Sequence, residues 1–425
     1  MATPAGIVNV EADGHNGSPM PESINPVERA RRRATADGRI RTLVNTSFAA
    51  VGIRWPEERY RTAWEAWRTH PSYTPTGRGG IAARTALAEE IRRWGTPAEP
   101  EDFLLTAGSS ISYHLVFSLL RRGPDAPTVA LPVPGYPLFE GIMSPLGMEP
   151  VWYHCPPETG FLPDPTEIQR LVTGPHPPPA ALVLISPNNP AGVTYPHETV
   201  TAIVEICAAA GVMVIIDEVF SLFRTDSGEN DLVTHDTSAS PVPVVHLNGF
   251  SKLCAAPEVK LGWIMVSGGD SHARSDLVEA LDTEHDTYLS LSGFAEAAVE
   301  PFIAGDAALA ARRRIRTRVT TLRTAMRNDI DSIPGFRAVE VNGGIHLPVR
   351  LDPVVAAERF GTVDDESIAA TILNSTGVFL HPGYFYGLDY PRFGGTPWFV
   401  VSALTDDDLR REACAALSRL VSGRG

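Results

Sequence analysis

The chain has 425 residues, enough for a large core and two domains, because single cores stop growing near ~250–300 residues. Its formal net charge is −14 and its one basic run is Arg29-Ala-Arg-Arg-Arg33, which argues against nucleic-acid partners and for small metabolites. The four cysteines lie far apart with no CxxC, and no stretch approaches the ~18 apolar residues of a membrane span, so no disulfide framework, zinc site, membrane segment or exported form is expected, and a reducing cytoplasm fits best.

Residues 1–27 are rich in Gly, Pro, Ser, Asn and Glu with little apolar pattern and are expected to form a disordered tail. From there the chain alternates. Helical periodicity over Ile81–Trp94 and Ser110–Leu120 precedes an apolar run at Thr128–Val133, a helix near Gly135–Leu146 and a run at Val151–His154. Runs at Ala181–Ile185, Val212–Ile216, Val244–Leu247 and Trp263–Val266, with a helix over Val200–Gly211, continue the pattern. Near-continuous apolar strands separated by amphipathic helices imply an α/β fold with a mostly parallel sheet covered on both faces, and they place ligands at the strands' carboxyl ends. A long helical stretch from Gly293 to about Ile333 leads to a different grammar: Phe336–Val341, Ile345–Arg350, helix Asp365–Ser375, Val378–Leu380, Phe399–Val401 and helix Asp406–Val421. This predicts a smaller α+β domain at the C-terminus.

Three polar residues stand just past predicted strands: Asn189 in Ser186-Pro-Asn-Asn-Pro-Ala-Gly192, Asp217 after Ile215-Ile216, and Lys252 in Asn248-Gly-Phe-Ser-Lys252, at intervals of 28 and 35 residues. All three fall on one crevice edge. A lysine that forms a Schiff base, an acid that holds a pyridine nitrogen protonated and an amide that reaches a phenolic oxygen are what pyridoxal 5′-phosphate (PLP) chemistry requires.

With these motifs the chain, from about Asn45 onward, resembles the fold-type I PLP-dependent enzymes, in particular the class I/II aminotransferase superfamily. The resemblance implies a three-layer fold divided into an N-terminal arm (28–55), a large PLP-binding domain (56–300) and a small C-terminal domain (301–425). It makes Lys252 and Asp217 the catalytic pair. In Thr106-Ala-Gly-Ser-Ser110, Ser109 and Ser110 resemble the phosphate-binding turn, where free amides and the helix dipole stabilise a dianion. Tyr136, in Pro134-Gly-Tyr-Pro-Leu-Phe139, resembles the aromatic platform for the ring, Ser251 and Lys260 join Lys252 as cofactor contacts, and Tyr73 resembles the tyrosine that reaches the neighbouring subunit's phosphate, which implies a homodimer with a shared active site.

Several positions depart from that pattern. Phe220 replaces a tyrosine that donates to the cofactor's phenolic oxygen, leaving Asn189 as the donor; Gly249 replaces a phosphate-contacting serine; Lys260 replaces an arginine, keeping the charge and losing the bidentate fork. Val400 stands where relatives carry the arginine that clamps the substrate's α-carboxylate. Arg392 and Arg78 are the candidate replacement cations, and Gly52 and Tyr384 are further candidate substrate contacts. The resemblance implies an aminotransferase acting on an amino acid or amino-acid derivative. The altered clamp keeps open β- or γ-elimination, replacement or carbon–carbon bond formation on an S-adenosylmethionine-type substrate, and a non-catalytic PLP-binding regulator is the reading from a different class. No metal site is expected.

Overall fold

The computed structural model describes residues 25–69, 76–122, 127–225, 231–289, 291–388 and 394–423, so Tyr73 and Arg392 lie outside the described residues. The first helix, α1 (Pro26–Ala36), starts where the Asn25 side chain accepts the Glu28 N–H and Pro26 takes the first helical position. It therefore begins inside the stretch expected as a tail up to residue 27, and Val27 is buried in it. The basic run lies on this helix, with Glu28 paired to Arg31 and Arg32 one turn away. After β1 (Arg41–Thr42), helices α2 (Glu57–Thr69) and α3 (Ile81–Arg92) lead into the large sheet.

Its strands are β2 (Phe103–Thr106), β3 (Thr128–Val133), β4 (Glu149–His154), β5 (Ala181–Ile185), β6 (Met213–Asp217), β7 (Pro243–Gly249) and β8 (Gly262–Gly268), ordered β2-β8-β7-β6-β5-β3-β4. Strands β3 to β7 run parallel, while β8 is antiparallel to both its neighbours. The connecting helices are α4 (Ser109–Arg121), α5 (Phe139–Met143), α6 (Pro165–Thr173), α7 (His197–Ala209), the single turn α8 (Phe250–Leu253) and α9 (Ser271–Asp286). Successive side chains of a strand point to opposite faces. Val183 and Ile185 of β5 accordingly pack with Tyr113, Leu115 and Val116 of α4 and Val278 of α9, while Leu182 and Leu184 pack with Ile168 of α6 and Val200 and Ile203 of α7. Both faces are buried, which is why these strands read as continuous apolar runs.

The helical stretch that follows is broken into α10 (Gly293–Ala297), α11 (Val299–Ile303) and the long α12 (Gly305–Asp331), with Gly305 at a φ of +81° where the chain turns into α12. The expected division at 300/301 falls inside α11. Beyond α12 come β9 (Phe336–Ala338), β10 (His346–Leu351), α13 (Pro353–Phe360), α14 (Asp365–Thr376), β11 (Val378–Phe379), β12 (His381–Pro382), β13 (Trp398–Ser402) and α15 (Asp407–Ser422). An antiparallel sheet forms in the order β12-β13-β10-β9, and the N-terminal arm joins this part through β1, which pairs in parallel with β11, and α1, which packs on α14. No helix among the described residues is long and apolar enough to cross a membrane.

The joint between the two parts is an apolar core that encloses a buried ionic network. Arg312 of α12 is fully buried, donates to the Glu90 carboxylate of α3 at 2.9 Å and to the Ile303 carbonyl at 2.8 Å, and lies 3.6 Å from the Asp231 carboxylate, which also meets Arg316. Removing one member of a buried ion pair strands its partner, at a cost of ~3–5 kcal/mol. Arg312→Met is therefore expected to lower the unfolding free energy from urea titration by that order, and an unchanged midpoint and slope would show that the network holds nothing together.

Candidate active site

At the carboxyl edge of the large sheet, one row of register partners, Ile185, Asp217 and Leu247, lies across β5, β6 and β7. Asp217 is in that row; Asn189 and Lys252 follow within one turn of the strands on either side. The Lys252 turn is pinned from below. Phe250 and Leu253 are buried, the Phe250 ring stacks on Phe302 at 5.2 Å, and the Cys254 thiol lies 3.9 Å from the Phe302 carbonyl. That leaves Ser251 and Lys252 half-buried on the opposite side of the turn. Desolvation, followed by the positive charge of Lys260, holds the Lys252 amine below its ordinary value, which favours the neutral nucleophile. Lys260 itself has a φ of +55° and an exposed side chain.

Asp217 is buried, with one carboxylate oxygen accepting the Tyr113 hydroxyl at 2.6 Å and the other the Val219 N–H at 3.0 Å. Burial raises its pKa to about 6, and the two donors pull in the opposite direction. Tyr113, on the buried face of α4, packs edge-on against Phe139 at 5.0 Å. Tyr136 packs edge-on against the same ring at 5.6 Å, and its pKa is pushed up to about 12 by burial and then by the Asp217 charge, with a Ser110 hydrogen bond opposing. Ser110, Tyr136, Tyr113 and Asp217 thus surround one space.

That space suits a flat cationic ring bearing a phosphate. Gly108 precedes α4 at a φ of +101°, the helix has no side-chain cap, and the Ile111 and Ser112 amides turn back to the Gly108 carbonyl. The amides of Ser109 and Ser110 are then left without a backbone acceptor among the described residues, which is how a helix N-terminus receives an anion. Strand β8 passes directly beneath, since a Cβ on Gly262 would lie 2.7 Å from the Gly108 carbonyl carbon and 2.8 Å from the Ser109 nitrogen. Gly249 is equally confined, as its Cβ would stand 2.7 Å from the Leu261 carbonyl oxygen. In the Asn-Asn turn, Asn188 is structural, bonded to Pro134, Ala191 and Tyr195, whereas the Asn189 side-chain oxygen is buried with no partner. A buried side-chain oxygen without a partner among the described residues, beside the free Ser109 and Ser110 amides, marks a ligand position.

The sequence pattern described as aminotransferase class I and II matches residues 69–417. The chain belongs to this aminotransferase family. It is 25% identical over 410 residues to the alanine aminotransferase of Mycobacterium tuberculosis H37Rv, covering 94% of this chain and 89% of that protein. It is 36% identical over 198 residues to the S-alkyl-thiohydroximate lyase SUR1 of Arabidopsis thaliana, covering 46% of this chain and 41% of that one. The solved alanine aminotransferase from Pyrococcus furiosus shares the fold with a TM-score of 0.81 at 22% identity, covering 94% of this chain and 96% of that one. The aminotransferase is a PLP-dependent transferase.

The other positions singled out by sequence are dispersed. In this aminotransferase Arg78 is ion-paired to Asp282 at 3.2 Å, and Tyr384 turns to α14, donating its hydroxyl to Glu366 at 2.9 Å and its N–H to Asp365 at 3.0 Å. Gly52 has a φ of +72° with open space about its Cα. Phe220 is buried beside Phe223 and His346, and Val400 is buried with Val133, Phe161, Trp398 and Tyr386. Sequence reasoning missed Tyr113 and His346, whereas the His381–Tyr386 turn resembles the family's segment edging the substrate pocket. Tyr113 was legible only as a tyrosine one turn along α4 from Ser109 and Ser110.

A carboxyl whose pKa rises from 3.8 to about 6 on folding binds a proton more readily folded than unfolded. Its contribution is fully present below the unfolded value and is lost as pH rises through about 6. Between pH 5 and pH 7, cofactor-free wild type should lose ~1 kcal/mol of stability relative to Asp217→Asn, and Tyr113→Phe should move that loss to higher pH. Urea titrations at both pH values give the sign, and parallel behaviour of wild type and Asp217→Asn would contradict the assignment.

Proposed function

We propose that this aminotransferase transfers the amino group of an amino acid or amino-acid derivative to a keto-acid or aldehyde acceptor. The observation that supports the reading is that Asn189, Asp217 and Lys252 stand at or just past the carboxyl ends of the neighbouring parallel strands β5, β6 and β7, with burial lowering the Lys252 pKa. When bound, PLP supplies an aldehyde that captures amines and a ring that accepts the electron pair left behind when a proton leaves the substrate's α-carbon. The chain supplies the rest. Asp217 stabilises a proton on the ring nitrogen, Tyr113 and the Val219 amide keep that carboxylate in place, and the Ser109 and Ser110 amides with Lys260 receive the phosphate. The Asn189 amide N–H would reach the phenolic oxygen, Tyr136 would cover the ring face, and Lys252 would take the substrate's α-proton and deliver it to the former aldehyde carbon on the other side of the amino nitrogen.

One observation favours a second reading, elimination. Val400 lies in an apolar cluster where a carboxylate clamp is expected, and the SUR1 protein to which part of the chain is similar is named as a lyase. The two are separated by mixing the PLP-loaded protein with a panel of amino acids that includes S-adenosylmethionine and S-substituted amino acids. Transamination predicts stoichiometric pyridoxamine phosphate and a 2-oxo product by mass spectrometry when no acceptor is present. A product lacking its β- or γ-substituent, with the cofactor unchanged, would establish elimination instead.

We also propose a homodimer in which Tyr73 reaches the other subunit's phosphate site. Supporting this, α2 ends at Thr69, just before that segment, with Trp64 48% and Trp67 37% exposed and their rings 4.9 Å apart. Wild type should sediment as a dimer, and Trp64→Glu combined with Trp67→Glu should shift it to monomer and weaken PLP binding about tenfold or more. A wild-type monomer that retains full cofactor affinity would rule out the shared site.

A further inference from the structure

The face of the small sheet that bears Val400 carries two histidines beside it. In the antiparallel register, His381 of β12 lies opposite Val400, and two positions further along His346 of β10 lies opposite Ser402. Directly opposed residues share a face, and the strand alternation puts Val400 and Ser402 on the same one. His381 is already engaged, its Nδ1 lying 2.9 Å from the Tyr386 hydroxyl, and the Ser402 hydroxyl accepts the Leu404 N–H at 3.1 Å.

His346 is not. Its ring stands between Phe220, edge-on at 6.2 Å, and Tyr386 at 6.4 Å, close enough to Lys252 for that amine's charge to act on it. The residue is 8% exposed, yet neither ring nitrogen has a hydrogen-bond partner among the described residues and neither is sealed from solvent. A side chain so buried, with its polar edge left open, is directed at a ligand. Burial, and then Lys252, push its pKa down to about 3, so it is a neutral imidazole with one donor and one acceptor.

We propose that His346 is the specificity-determining residue at the substrate end where the clamp is missing, reading that end by neutral hydrogen bonding and admitting an uncharged polar group, such as a carboxamide, in place of an α-carboxylate. The inference rests on the PLP site assigned above but not on the choice between transamination and elimination. A carboxylate entering this apolar surround must shed water and meets no guanidinium fork in return, whereas a carboxamide matches the imidazole's donor and acceptor. A neutral donor and a fixed guanidinium therefore differ in how strongly they prefer acid over amide.

The test uses cofactor-free protein and reduced N-phosphopyridoxyl conjugates of L-alanine, L-alaninamide and ethylamine, which share the ring and phosphate and differ only at this end. Titration calorimetry of wild type should find the alaninamide conjugate within about tenfold of the alanine conjugate. His346→Phe should weaken the alaninamide conjugate about tenfold or more while changing the ethylamine conjugate less than about twofold, and His346→Asn, which keeps a donor and an acceptor, should hold within about threefold of wild type. An acid preference beyond about tenfold in wild type would overturn the proposal, as would an equal loss for all three conjugates in His346→Phe. Failure of the ethylamine conjugate to bind wild type would overturn the cofactor site and the proposal together. The expected pattern, combined with a lyase product from the amino-acid panel, would leave His346 assigned and transamination refuted.

Discussion

A carboxylate buried at the end of a sheet strand is the constraint on which this site depends. Asp217 is removed from water by the same register that covers both faces of the sheet, and desolvation pushes its pKa up, to about 6. Two donors, the Tyr113 hydroxyl and the Val219 amide, partly offset this, one for each oxygen. Neither donor carries charge, so the carboxylate stays unneutralised. Lys252 is held below its usual pKa, and the Asn189 oxygen has no partner. These groups lie at and just beyond one carboxyl edge of the sheet, and a cationic ring with an electrophilic carbon relieves the first two.

The elements that hold this arrangement rigid are apolar and lie beneath it. Phe250 stacked on Phe302 fixes the turn that presents Lys252, and Phe139 receives the edges of both Tyr113 and Tyr136. The Asp217 partner and the ring platform are therefore braced by one side chain, so the carboxylate and the face that covers the ring are positioned together. The buried Arg312–Glu90 pair ties α12 to α3, and Arg312 lies near Cys254, two residues past the lysine. Fold stability and the placement of the lysine are thus linked through the same contacts.

How legible these features were in sequence follows from the physics of each. The runs Thr128–Val133 and Ala181–Ile185 were read to the residue, because strands buried on both faces give continuous apolar runs that end abruptly at turns. Helices α6, α9 and α13 were not read, although Asp164, Asp270 and Asp352 cap them through their side chains. Each is short or carries few buried apolar positions, two in α6 and one in α13, so the apolar stripe was brief. Asn189, Asp217 and Lys252 were legible because polar residues past apolar strands fall on one edge in any parallel sheet. Tyr113 and His346 were not, since a tyrosine on a buried helix face and a histidine opening an apolar strand acquire a role only through tertiary neighbours. In sequence, Tyr113 reads as core.

The substitutions around the lysine now form a consistent set. Phe220 removes a hydroxyl from the phenolic side of the site, whereas Tyr113 adds one behind Asp217, so hydrogen bonding is weighted toward the ring-nitrogen end. The small sheet changes in the same direction: Val400 gives an apolar wall, and the polar groups beside it, His346, His381 and Tyr386, are all biased by burial toward their uncharged forms. The Gly135 amide donates to the Tyr386 carbonyl at 3.0 Å, which ties this wall to the turn bearing Tyr136. The surface that meets the substrate is thereby held in register with the platform that meets the ring. Charge is concentrated at Asp217 and the phosphate end, and discrimination at the opposite end is left to shape and neutral hydrogen bonds, which separate substrates by the polar groups they leave unpaired rather than by their charge.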